Sequence, residues 1–244
     1  MNNKQLIKQE TKQPAMFKGV TREHYREILG CGSRKIIQPK EILFHDGDTA
    51  ENCYLVVNGS LKLTKFTTQG KEIIIRYIAP AEMTALVAVL EEKKFPATAI
   101  SLKQTEVISW DKRTMLRLMR QNSDIAINML NIVLNRINDL QNRYMELSSE
   151  MVERRIACTI MRLMRQSGRD SSEGVCIDIP LSRQNIADYC GASLYTVSRM
   201  LTGWEKQGWI KSGREQVTIT APGAIVKIAG NNTSPIISLE SVNA

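Results

Sequence analysis

A chain of 244 residues has room for one large domain or two ordinary ones, and its 43% hydrophobic content suits a soluble globular protein. No apolar run reaches 18 residues, so a membrane span is not expected. Lys and Arg number 33 against 25 Asp and Glu, and the formal net charge of +8 favours an anionic partner, nucleic acid before an anionic membrane. Cys31, Cys53, Cys158, Cys176 and Cys190 are scattered and include no CxxC pair. That pattern argues against a disulfide scaffold, a zinc ribbon and a clustered-cysteine iron–sulfur site. The opening MNNKQLIKQETKQ lacks the apolar core of a signal peptide, so a reducing cytoplasm is the expected location.

Residues 1–16 read as a polar leader, and 17–30 as a short helix carrying Phe17, Tyr25, Ile28 and Leu29. From Ile36 the texture is β. Short apolar runs such as Cys53 to Val57, Leu61 to Leu63 and Ile73 to Ile78 alternate with turn signals at Asp46-Gly47, Asn58-Gly59, Gln69-Gly70 and Ala79-Pro80. Asn58-Gly59 has the form of a tight hairpin turn. Pro96 to Ile100 and Glu106 to Trp110 add two more strands. Many short strands at this spacing predict an antiparallel barrel or jelly roll.

The pattern becomes helical at Asp111. Met115, Leu116, Leu118 and Met119 fit a short helix, and a longer one starts near the capping pair Ser123-Asp124. Along it Leu130, Ile137, Tyr144 and Met151 recur every seven residues, and so do Val133, Leu140 and Leu147, displaced by three. This is an a/d seam whose natural partner is a second copy of itself in a parallel dimer. Packing of the stripe on the barrel is the alternative. Glu153-Arg154-Arg155 opens another helix, followed by a polar loop over 166–174 and a strand from Val175 to Ile179.

Leu181 to Trp204 then reads as a helix-turn-helix. Ser182 caps the first helix, whose Ile186, Ala187 and Cys190 share one face, and Gly191 supplies the turn. Val197, Met200, Leu201 and Trp204 give the second helix an apolar stripe, while Tyr195, Thr196, Ser198, Arg199 and Thr202 face away from it. That polar face is free to enter a DNA major groove. Trp209 to Lys211 and Gln216 to Ile219, joined through Ser212-Gly213-Arg214, form a wing. A short helix over 221–229 precedes a mobile tail. The predicted class is α+β: a β-roll sensor domain at 17–121, a dimerisation helix at 122–151, a winged helix-turn-helix at 152–230 and a flexible tail at 231–244.

This order of parts resembles the CRP/FNR family of bacterial transcription regulators. Gly47-Asp48 before Cys53-Tyr-Leu-Val-Val-Asn-Gly59-Ser-Leu-Lys-Leu63, Glu153-Arg-Arg-Ile-Ala157, Leu181-Ser-Arg-Gln-Asn-Ile-Ala187 and Thr196-Val-Ser-Arg-Met-Leu201 are similar to that family's local signatures. The resemblance implies a homodimer that reads a pseudo-palindromic site, with half-sites about 34–36 Å apart. It implies base readout by Arg199, whose fork can pair with guanine O6 and N7 for roughly 1–3 kcal/mol of discrimination, and by Ser198. Arg183, Gln184, Ser193 and Thr196 are implied as phosphate binders at helix N-termini, Ser193 alternatively as a cap alone. RNA polymerase is a further implied partner if the regulator activates.

Two departures limit the resemblance. Tyr195 stands where the family usually has a glutamate that accepts a hydrogen bond from cytosine N4. Tyrosine is uncharged at neutral pH, so the half-site need not follow the family's TGA-type core. In members that bind cyclic AMP, a Gly-Glu holds the ribose, an Arg-Ser the phosphate and a Thr-Ser the adenine. Ala85-Leu86, Pro96-Ala97 and Leu140-Gln141 occupy those places here. The expected pocket, lined by Leu86, Val87, Val89, Leu90, Pro96, Val133, Ile137 and Leu140, is apolar and disfavours cyclic AMP. Haem remains open because an apolar pocket suits it, with His24 or His45 as the only histidines available for the iron. A different small molecule, or none, is as compatible. Enzyme chemistry of the cupin type would need a cluster of histidines and carboxylates, and two histidines 21 residues apart do not supply one, so no catalytic or metal-ligating residue is assigned. A non-catalytic dimeric scaffold is the other alternative, and it predicts no salt-dependent DNA binding.

Overall fold

The computed structural model describes residues 14–89, 94–213 and 215–230. They form two compact units that divide at 142/143, inside a helix.

In the first unit a single 3-10 turn at Ala15–Phe17 precedes helix α1, Arg22–Gly30. The sequence suggests one helix from Phe17, but the chain breaks at Gly19, whose φ is +85°, and restarts where the extended Thr21 accepts the His24 amide as N-cap. Eight strands follow: β1 (Ser33–Ile37), β2 (Ile42–Phe44), β3 (Asn52–Asn58), β4 (Leu61–Phe66), β5 (Glu72–Ile78), β6 (Met83–Thr84), β7 (Thr98–Ser101) and β8 (Thr105–Asp111). They pair antiparallel in two four-stranded sheets of order β1-β8-β3-β6 and β2-β7-β4-β5.

The two-residue alternation of a strand divides β3 and β8 between two cores. Val56 and Val107 pack with Ile37, Leu61, Ile78 and Ala99 in one. Cys53, Leu55, Ile108 and Trp110 pack in the other with Phe17, Met115, Leu118, Ile125 and Met129. The Trp110 indole N–H donates to the Ile28 carbonyl at 2.9 Å, so this large side chain is buried without stranding its polar atom. Asp111 caps α2 (Lys112–Gln121) by accepting the Thr114 amide at 2.6 Å. Helix α3, Ser123–Ser149, is one run of 27 residues. Asn122 Oδ1, one residue earlier than the expected Ser123, accepts the Asp124 amide at its start.

Asn58-Gly59 does not close a hairpin. β3 and β4 lie in different sheets, and the turn carries the chain from one to the other. Gly59 has φ +90°, and a Cβ there would collide with the Thr105 side chain, the Thr105 Cα and the Gln104 carbonyl. Thr105 Oγ1 accepts the Ser60 amide at 3.1 Å and the Ser101 hydroxyl at 2.9 Å, which ties this crossing to the β7–β8 turn. The hairpin signal was local, whereas the close approach to Thr105 is tertiary.

The second unit holds the end of α3, then α4 (Val152–Ser167), β9 (Gly168–Ser171), β10 (Gly174–Ile177), α5 (Arg183–Cys190), α6 (Leu194–Lys206), β11 (Ile210–Gly213), β12 (Gln216–Ile219) and α7 (Pro222–Ala229). Its sheet has the order β11-β12-β10-β9. The expected polar loop over 166–174 therefore contains a strand. Arg169 and Asp170 carry no apolar pattern, but their backbone pairs with Cys176 and Val175, and Gly174 turns the chain at φ +134°. Within the described residues no helix is long and apolar enough to cross a membrane.

Gly59→Ala should destabilise the first unit by about 3 kcal/mol, from positive-φ strain plus overpacking at Thr105. Hydrogen exchange at the β3 and β8 amides reads this out, and protection equal to that of the unaltered protein would contradict it.

Candidate nucleic-acid interface and effector cavity

The helix-turn-helix is built as its residues dictate. Ser182 and Asn185 form a capping box at the start of α5, Ser182 Oγ accepting the Asn185 amide at 3.1 Å and Asn185 Oδ1 accepting the Ser182 amide at 3.0 Å. Gly191 ends the helix in the left-handed conformation, φ 66° and ψ 41°. Ser193 caps α6, accepting the Thr196 amide at 3.1 Å. Ile186, Ala187 and Cys190 are buried against Val197, Leu201 and Trp204, while Met200 is only half-buried.

Tyr195 and Arg199, one turn apart, stand on the outer face of α6, with Tyr195 76% exposed. Ser198 and Thr196 are partly exposed beside them. The hydroxyls of Ser193 and Thr196 lie 2.9 Å apart, so both take part in the cap. Gln184 is exposed on α5 and donates to Asp188 at 2.9 Å. Arg183 is held differently. Its guanidinium bonds Thr202 Oγ1 at 3.1 Å, Glu205 Oε2 at 3.1 Å and the Ser198 carbonyl at 3.4 Å. It ties α5 to α6. Sequence spacing gave no hint of this bond, because Arg183 and Glu205 are 22 residues apart.

The last turns of α3 are fastened to this unit by side chains that sequence reading left unassigned. Arg143 lies over the Tyr189 ring, 4.3 Å from its centroid, and donates to the Tyr189 carbonyl. Arg162 grips Glu146 with two hydrogen bonds of 2.7 and 2.9 Å. Burial pulls the Arg162 guanidinium down in pKa, but the hydrogen bond and charge of Glu146 outweigh it and hold it above the usual arginine value. Arg155 donates to the Gly191 carbonyl at 3.1 Å and so braces the turn between α5 and α6.

Along α3 the apolar stripe is exposed in the single chain. Leu130, Ile137, Leu140, Tyr144 and Leu147 are open to solvent, as are Ile127, Leu134 and, just past the helix, Met151. Val133, which the sequence places both on the seam and in the expected pocket, lines a cavity of the first unit.

That cavity has a volume of about 470 Å³. Of the residues drawn for the effector pocket, Leu86, Val87, Pro96 and Val133 line it, together with Phe44, Phe95 and Met129. Leu90 falls outside the described residues. Val89 is packed in the core instead. Ile137 and Leu140 do not line it and are 45% and 54% exposed. The helix face toward the cavity runs through Ala126, Met129, Val133 and Arg136, with Leu130 at its border. Ile137 is about 100° around the helix from Arg136, and Leu140 sits about one turn beyond it. The larger correction is Arg136 itself. The sequence suggested a purely apolar lining, yet this guanidinium faces the cavity. One Nη donates to the Met83 carbonyl, and Nε is buried without a hydrogen-bond partner. Burial, then the charge of Arg76, push its pKa down to about 10, against the pull of Glu82.

Three expectations about ligands can be set against this lining. Among the described residues no carboxylate lines the cavity beside Ala85-Leu86 to hold a ribose, and Pro96-Ala97 itself carries no cation. His24 and His45 are both exposed and neither lines the cavity, so an imidazole-ligated haem does not fit the described residues. Cys53, Cys158, Cys176 and Cys190 are buried, and burial pushes the Cys53 thiol up to about 12 and those of Cys158 and Cys190 upward, away from the reactive thiolate. Among the described residues no group of three metal-ligating side chains occurs.

Comparison with known proteins follows the same division. Residues 34–122 match the cyclic nucleotide-binding domain family, and residues 154–228 match the Crp-like helix-turn-helix domain family. The chain is similar to the transcriptional activator protein FnrA of Stutzerimonas stutzeri, 28% identical over 78% of each chain. It is also similar to the cyclic AMP receptor protein of Thermus thermophilus, 24% identical over 88% of this chain and 96% of that one. Its fold resembles the solved structure of FixK2 from Bradyrhizobium japonicum, with a TM-score of 0.72 and 19% identity, covering 82% of this chain and 98% of the other.

The engagement of Arg183 predicts a split between stability and salt dependence. Arg183→Ala should lower the stability of the second unit by about 1–2 kcal/mol while leaving the slope of log affinity for DNA against log salt unchanged. A slope smaller by about 1 would mean that Arg183 meets a phosphate instead.

Proposed function

We propose that this chain, which belongs to the CRP/FNR family of DNA-binding transcription regulators, works as a homodimer that places one α6 in each of two successive major grooves and answers to a ligand held in the β-roll. The observation that carries the DNA-binding part is the outer face of α6, where a neutral phenol, a hydroxyl and a guanidinium stand on one side of a helix whose other side is buried. That face can meet base edges without desolvating a carboxylate against phosphate. Arg199 pairs with guanine, Ser198 reaches the adjacent base, and Tyr195 stacks on a thymine methyl or bonds a phosphate. Ser193, Thr196 and Gln184 border the groove-facing surface, with the amides at the start of each helix available to phosphate.

The dimer reading rests on the exposed stripe of α3. A row of Leu130, Leu134, Ile137, Leu140 and Tyr144 left in water is unfavourable, and burial against the same row of a second copy would recover roughly 25 cal/mol for each Å² of apolar surface covered. Domain limits of 17–121, 122–151 and 152–230 serve this division of labour, with α3 counted as the dimerisation element. RNA polymerase is a further partner where the regulator activates. Selection of bound sequences from random duplex DNA, followed by mobility shift over a range of salt, tests the whole reading. A dimeric scaffold without DNA function would yield no enriched half-sites.

Two outcomes are expected. Ile137→Lys should turn the protein into a monomer in sedimentation and weaken operator binding by 100-fold or more. A monomer that retained full operator affinity would contradict it. Tyr195→Glu should restore an acceptor for cytosine N4 and so alter the selected half-site. Identical sequence preferences for the two proteins would show that Tyr195 reads no base.

A further inference from the structure

We propose that the cavity of the first unit binds an organic monoanion, with an apolar body seated against Phe44, Phe95, Met129 and Val133 and a carboxylate paired with the guanidinium of Arg136. The inference rests on the reading of the roll as the sensing domain and specifies what it senses.

The cavity is within the size range of drug-like ligand sites. Phe44 and Phe95 stack at 4.0 Å between ring centroids and form a flat wall suited to an aryl or alkyl chain. Among the described residues only Thr84 and Arg136 bring polar side chains to the lining, and none of the described lining residues is acidic. The guanidinium therefore meets no opposite charge inside the cavity. Its Nε hydrogen is buried and unused within the protein. The nearest balancing group is outside the lining. Glu82 acts on Arg136 electrostatically but already pairs with Arg76 at 2.6 Å, so two guanidinium groups share one carboxylate.

This arrangement discriminates among ligand classes. A neutral hydrocarbon would fill the apolar volume but leave Arg136 desolvated and unanswered. A carboxylate answers it with charge-assisted hydrogen bonds, for which the planar fork is preorganised. A cyclic nucleotide could offer its phosphate, yet its ribose and purine edges would face a wall with one hydroxyl to meet them. Position on α3 gives binding a consequence: Arg136 lies between Leu134 and Ile137, which belong to the exposed stripe, so a ligand that pulls on this guanidinium acts on the face proposed to dimerise.

Calorimetric titration of the full-length protein with decanoate and with 2-naphthylacetate, each beside its neutral primary alcohol, tests the assignment. At least one acid should bind saturably, one per chain, and at least tenfold more tightly than its alcohol. Arg136→Met should erase that preference, Arg136→Lys should keep part of it, and Val133→Trp should fill the cavity and abolish binding of both forms. Circular dichroism checks the fold of each variant, and Arg136→Lys with Val133→Trp keeps the test open if Arg136→Met does not fold. Absence of binding by both acids, equal binding of acid and alcohol, or a preference that survives Arg136→Met would overturn the proposal. Selection from random DNA on the same preparations separates the two readings. DNA binding without any acid preference removes the ligand assignment alone, whereas no DNA binding by the unaltered protein removes the regulator reading beneath it.

Discussion

The structure depends on one continuous helix meeting incompatible demands on different faces. α3 must bury Ile125 and Met129 in the core beneath Trp110, present Val133 and Arg136 to a cavity, and leave Leu130, Leu134, Ile137 and Leu140 in water. A helix has only about 3.6 residues per turn to distribute among these surroundings, so the demands overlap: Met129 serves both core and cavity, and the exposed Leu130 also borders the cavity. Val133 cannot serve both the cavity and the exposed stripe fully. Its half-buried state is the compromise, and the outward face is completed by Leu134 and Ile127. The exposed stripe is thus broader than a strict a/d seam, closer to the wide apolar face of a bundle helix than to the narrow line of a coiled coil.

At its end the same helix is fixed by polar means. Arg143 on the Tyr189 ring, Glu146 in the fork of Arg162 and Arg155 on the Gly191 carbonyl all act within the second unit. Two of these reach α5 or the turn after it. The turn needs Gly191 at positive φ, and its carbonyl is held by a guanidinium, so the angle between α5 and α6 is not set by their apolar contact alone. Arg183 adds a second brace from the other side through Thr202 and Glu205. Arginine suits these positions because a planar group with five donors can satisfy several acceptors at once while its stem packs.

What was legible in the sequence was what repeats or caps locally. Ser182, Gly191 and Ser193 are read from chemistry that acts within four residues, and each stands where its chemistry requires. The alternation of β3 and β8, and the start of α4 after Met151, are legible for the same reason. Features set by distant partners were not. Asn58-Gly59 has the local form of a hairpin turn, and its neighbour across space is Thr105 rather than the next strand. The strand at 168–171 has no apolar alternation and exists because β10 offers a free edge. The four bracing pairs join residues between 16 and 46 positions apart, where a one-dimensional pattern carries no signal.

Arg136 shows how this limit bears on function. In the sequence it stands among polar Asn135, Asn138 and Asp139, and a long charged side chain there reads as solvated surface. The family's Thr-Ser position on the long helix corresponds to Leu140-Gln141, and a pocket drawn by that correspondence takes in Ile137 and Leu140 and leaves Arg136 out. Hydrophobicity is a poor guide at that point, because the exposed apolar residues have another surface to cover and the charged one is half-buried on the cavity wall. A buried guanidinium persists only where its hydrogen bonds and nearby charge offset desolvation. Here the offset is incomplete, with one bond to a carbonyl, a shared glutamate and a buried Nε hydrogen left over. In a core selected for stability alone, an apolar side chain of similar volume would serve better. An incompletely satisfied charge on the wall of an otherwise apolar cavity is instead what a site for an anionic ligand looks like before the ligand arrives.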